Sequence, residues 1–98
     1  MDNKEVSKLS PFELNHAIYR EHSRLTGFLS KVLPDYCNNW DDLMPLVDFD
    51  YSTTKHATGL FDVVVNYTVI GVVNAQTKQR ALAECLLKVL MAKENDNG

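Results

Sequence analysis

Residues 77–93 carry the feature that most restricts how this chain can fold. At helical spacing Leu82, Cys85, Leu86, Val89 and Leu90 fall on one face, and Leu87 and Met91 widen that stripe beyond the share a surface helix usually buries. A helix of this kind is expected to be the most buried one in the fold. It begins near Asn74 or Thr77, both suitable caps, and runs to about Lys93. A length of 98 residues allows one domain, 1–98, burying roughly 60–65% of the surface its unfolded form exposes. Within it, about 9–93 is expected to be ordered, with the polar segments 1–8 and 94–98 flexible.

A second helix is announced locally at residues 9–14, LSPFEL. Ser10 can cap, Pro11 fits the first helical position, Glu13 completes the S-x-x-E capping box, and Leu9 with Leu14 can form a hydrophobic staple. Leu14, Ala17, Ile18 and Leu25 then share a face, with Arg20 and Arg24 on another, so the spacing predicts a helix over about 11–25 that Gly27 ends. Arg20, Arg24 and Lys31 form a modest positive patch of the kind a solvated helix face carries.

Residues 34–47, PDYCNNWDDLMPLV, predict a short helix carrying Leu43, Met44, Leu46 and Val47. Capping by Asp41 or Asp42 is preferred, because Pro45 then falls where its missing N–H costs little. Capping by Asn39 would make the proline remove a real hydrogen bond and distort the turn. From Val47 the period changes to two: Val47, Phe49 and Tyr51 alternate with Asp48, Asp50 and Ser52, which predicts a strand, followed by STTKHATG as a loop. FDVVVNYTVIGVV, residues 61–73, is rich in β-branched and aromatic side chains. It is long for one strand, so a hairpin turning near Asn66 is favoured, although Asn66-Tyr67 is not a standard turn pair. The order is helix, short helix, two to three strands, long C-terminal helix. That is an α+β fold in which a small antiparallel sheet is covered by helices.

LSPFEL, PDYCNNWDDLMPLV and RALAECLLKVL (residues 80–90), in this order, resemble the small proteins of the lambdoid phage nin region (protein X, NinX) and the related phage ABA sandwich domain, a family without an assigned activity. The resemblance implies an α/β/α sandwich-like architecture and a phage or prophage source. It covers the first helix, the central segment and the last helix, and does not extend residue by residue into the strands.

The composition narrows the function classes. A net charge of −3 and a pI near 5.5 give no basic stripe for phosphate backbones, which argues against nucleic acid as a direct partner. DNA mimicry would need more acidity. The start of the chain has no apolar h-region and no run reaches the ~18 apolar residues of a spanning helix, so no membrane role is expected and the location is read as cytoplasmic. Cys37 and Cys85 are then reduced thiols, with Cys85 a buried small hydrophobe and Cys37 open to either placement. No nucleophile motif, glycine-rich phosphate loop or metal-ligand spacing is present. His16, His22 and His56 read as solvent-exposed, and no cofactor is expected.

One window stands out chemically: between Val32 and Thr54 there is no lysine or arginine, while Asp35, Asp41, Asp42, Asp48 and Asp50 all fall in it. Caps, turns and a wet strand face account for all five. Attraction of a basic partner, or a hard cation held by carboxylates, are the functional alternatives. Trp40 and Tyr36 read first as rings folded over a core edge, and second as interface anchors. The leading expectation is a non-enzymatic accessory protein that binds another protein, in phage development or against a host function such as defence. Its contact surface would be Asp35, Tyr36, Asn38, Asn39, Trp40, Asp41 and Asp42. The alternatives are a small carboxylate- or metal-dependent hydrolase and a nucleic-acid-associated regulator. Pairing of 61–73 with a second copy at a sheet edge would give a homodimer.

Overall fold

In the computed structural model, which describes residues 3–96 and side chains from 5 to 93, the capping box at Ser10 forms as its spacing dictates. Ser10 Oγ accepts from the Glu13 N–H at 3.1 Å and Glu13 Oε1 accepts from the Ser10 N–H at 2.9 Å. This starts helix α2, Pro11–Thr26, which ends on Gly27 at φ 77, a left-handed position suited to glycine. A short helix α1, Asn3–Val6, precedes it. Val6 is fully buried, so the core begins ahead of residue 9 and, within the segment expected to be flexible, residues 3–6 are helical. The reason is a long-range contact, α1 against the C-terminal helix, that no local pattern encodes. Residues 1, 2, 97 and 98 of the expected flexible ends lie outside the described residues.

The central segment folds as one helical turn, α3, Trp40–Leu43, and a 3-10 turn, Met44–Leu46. Its cap is Asn39, whose Oδ1 accepts from the Asp41 N–H at 2.9 Å, and not Asp41 or Asp42 as preferred from the sequence. The consequence anticipated for an Asn39 cap follows: Pro45 cannot continue an α-helix, and the chain tightens so that the Val47 N–H reaches the Met44 carbonyl.

Three antiparallel strands follow: β1, Tyr51–Lys55; β2, Phe61–Val65; and β3, Gly71–Ala75, in the order β1-β2-β3. The hairpin in 61–73 is present and turns through Tyr67, at φ 64. β1 lies later than the alternation at 47–51 suggested, because its ladder starts where β2 ends, with Tyr51 opposite Val65 and Lys55 opposite Phe61. Val47 and Phe49 pack on the core without a strand partner, and Ser52–Lys55, expected as loop, form the strand. Because β2 has neighbours on both sides, its half of 61–73 is not a sheet edge, which removes the dimer expected through that whole segment.

The last helix, α4, Lys78–Asp96, starts from Thr77, whose Oγ1 accepts from the Arg80 N–H. The other candidate cap, Asn74, lies inside β3. Ala81 to Leu87 are all buried, since α4 packs on β2 and β3 on one side and on α2 on the other. Each buried leucine here contributes about 1.5–3 kcal/mol relative to exposure. The fold is α+β, with layers running sheet, α4, α2. The helices thus gather on one face of the sheet, while Val64 and Val73 on the other face are exposed. Among the described residues no helix is long and apolar enough to cross a membrane.

Candidate functional site

The segment from Asp35 to Asp42 is tied down by its own polar groups. The Asp35 N–H donates to Asp42 Oδ2 at 2.9 Å, closing the loop ahead of α3. From α2, the buried Asn15 reaches across: its Nδ2 donates to Asp35 Oδ1 at 3.0 Å and its Oδ1 accepts from the Cys37 N–H at 3.1 Å. Asn38 Nδ2 also reaches Asp35 Oδ1, at 3.4 Å. Asn15 was not singled out from the sequence. The signal was a poor helix former three residues before Ile18 on the stripe of α2, a place where a polar side chain needs partners.

Of the seven residues expected to form a contact surface, the structure presents Asn38, Asn39, Trp40 and Asp41 to solvent. Asp35 and Asp42 are half-buried and engaged within the loop. Tyr36 is a correction: it is fully buried, Gln79 of α4 donates to its carbonyl at 3.1 Å, and it belongs to the core. Burial, reinforced by the Asp42 carboxylate and by Tyr19, pushes its phenol up to about 12. Cys37 is buried, and burial raises its thiol, opposed in part by the Arg80 guanidinium, so it is held as a thiol. Cys85 is pushed up to about 11, again by burial first.

Trp40 is not folded away: 40% of it is exposed, and Met44, one helical turn on, is 41% exposed. The outcome is an apolar pair on a short, capped turn, with Asn38, Asn39 and Asp41 around it. Three carboxylates of this window go to separate donors, Asp35 to the Asn15 and Asn38 amides, Asp42 to the Asp35 N–H and Asp48 to Lys93 Nζ at 3.0 Å. Among the described residues no group of three or more His, Cys, Asp or Glu side chains is placed to hold a metal ion.

A groove of about 550 Å³ lies between the C-terminal part of α2, the 3-10 turn and α4, lined by His22, Leu25, Leu46, Leu90 and the Asp48–Lys93 pair. His22, expected in solvent, is half-buried against Phe28, and burial lowers its pKa below 6.5. A histidine that resists protonation in the folded state favours folding fully above its unfolded value, and that contribution is lost as pH falls through the folded value. His22→Gln is therefore expected to flatten the dependence of the urea midpoint on pH between about 7 and about 5, where both imidazole states are sampled. An unchanged slope would show that His22 does not set it.

Compared with family models, with curated proteins and with solved structures, the chain gives no match.

Proposed function

We propose that this chain is a phage- or prophage-encoded accessory protein that works in the bacterial cytoplasm by binding another protein, in phage development or against a host function. The source rests on the resemblance of residues 9–14, 34–47 and 80–90. The mode of action rests on one observation: Trp40 and Met44 stand exposed on a turn fixed by the Asn39 cap and the Asp35–Asp42 bond. Tryptophan and methionine are enriched where proteins meet, and an aromatic held in place beforehand loses little freedom on binding. The Asn38, Asn39 and Asp41 side chains supply the polar rim.

Affinity capture from host lysate with Trp40→Ala and Asp41→Lys variants tests this reading. Partner recovery is expected to fall at least about tenfold for Trp40→Ala, equivalent to about 1.4 kcal/mol. Stability should change by about 1 kcal/mol for the half-exposed ring and by about 0.5 kcal/mol or less for Asp41→Lys. Undiminished recovery in both variants would remove α3 from the contact surface.

A further inference from the structure

The two edges of the sheet are finished differently. The Val65 N–H donates to the Ile70 carbonyl and Val63 sits opposite Val72, so Gly71 between them points its carbonyl away from β2. Lys88 Nζ of α4 takes that carbonyl at 2.8 Å. The same strand is bulged at Val73 and Asn74, where Asn74 has φ 59 and its N–H turns to Asp62 Oδ1. A lysine over the edge and a bulge within it are devices that prevent another strand from docking.

β1 has neither. The Asn66 N–H donates to the Asp50 carbonyl and the His56 N–H to the Leu60 carbonyl, so by alternation residues 50, 52, 54 and 56 face β2. The backbone groups of Tyr51, Thr53 and Lys55 then point outward, and no hydrogen bond among the described residues engages them. Ser52 to Lys55 are exposed.

We propose that β1 pairs antiparallel with β1 of a second copy of this chain, about a two-fold axis at Thr53, to give a continuous six-stranded sheet. In that register the three residues with outward groups meet one another: Thr53 faces the partner's Thr53, and Tyr51 faces the partner's Lys55. Every free donor along the edge finds a free acceptor. Charge selects both the occupant and the register. Asp50 precedes the strand and Lys55 ends it, so self-pairing sets the acidic approach of each copy against the basic end of the other, with Asp50 opposite the partner's His56, whose counterpart in this chain lies 2.7 Å from Asp62; Asp48 is held by Lys93. Centring the axis on Lys55 would oppose two lysines. Centring it on Tyr51 would bring the two acidic ends together and shorten the ladder.

Light scattering at about 100 micromolar, where a micromolar association is near saturation, reads the outcome. The wild-type mass is expected to be twice the 11.1 kDa of one chain. Thr53 is exposed, so Thr53→Lys and Thr53→Asp should keep the wild-type circular dichroism while each opposes like charges at the axis, returning the mass to one chain. An equimolar mixture of the two variants, now with opposite charges at the axis, should recover the doubled mass, which a misfolded variant could not do. A wild-type mass of one chain, leaving the edge to a strand from a different protein, overturns the proposal. A dimer indifferent to both substitutions, or a mixture that stays monomeric, overturns it as well.

Discussion

Arg80→Met is expected to lower the free energy of unfolding by about 3–5 kcal/mol, the usual loss when one member of a buried ion pair is removed. Arg80 Nε lies 2.7 Å from Glu84 Oε2, and the side chains are only 16% and 5% exposed. Its Nη2 donates at 2.6 Å to the carbonyl of Leu9 and reaches that of Val6, so one guanidinium fastens the turn between α1 and α2 onto α4. Truncation leaves a carboxylate buried without its counter-charge and the Leu9 carbonyl without its donor. In a domain whose whole stability is about 5–15 kcal/mol, that is a large fraction. Arg80→Met/Glu84→Met should recover much of the loss, because no unpaired charge then stays behind. Equilibrium urea unfolding measures both. A single variant within about 1 kcal/mol of wild type would show that the pair is solvated and that the turn is held elsewhere.

Tyr36→Ala is expected to cost about 3–5 kcal/mol, the range for removing a large buried ring, whereas Tyr36→Phe should be neutral within about 1 kcal/mol or slightly stabilising. The two differ because the ring fills the core while the hydroxyl, buried beside the Asp42 carboxylate, has no hydrogen-bond partner among the described residues. Thermal unfolding distinguishes them, since each kcal/mol moves Tm by several degrees in a domain of this size. A Tyr36→Ala protein that melts with wild type would move Tyr36 out of the core to the contact surface, the second of its two readings from the sequence.

Tyr36 shows where local reading stops. The capping box at Ser10, the stop at Gly27, the stripe of α4 and the hairpin in 61–73 are written within a few residues of where they act, and each forms. Tyr36 and Trp40 stand in the same polar-aromatic run, yet one is fully buried and the other exposed. The difference is made by Asn15, 20 residues before Asp35, and by Gln79, 43 residues beyond Tyr36. Val6 is buried for the same kind of reason, through Arg80, which is 74 residues away. β1 begins at Tyr51 because β2 ends at Val65, whereas the alternation at Val47 and Phe49 reports burial without a partner strand. At the candidate site, the exposed Asn38, Asn39 and Asp41 follow from composition, whereas the exposure of Trp40 goes against its first reading as a ring folded over the core. Met44 completes the pair with Trp40 only once Asn39 sets the phase of the turn.

The middle layer of this protein, α4, is synthesised after every element that packs on it. Since α1, α2, β2 and β3 all rest on α4, a nascent chain arrested before residue 78 holds its helices and hairpins with nothing to cover them. Folding on the ribosome must therefore wait for α4 to clear the exit tunnel, and the interval before that is when chaperones or proteases find the chain open.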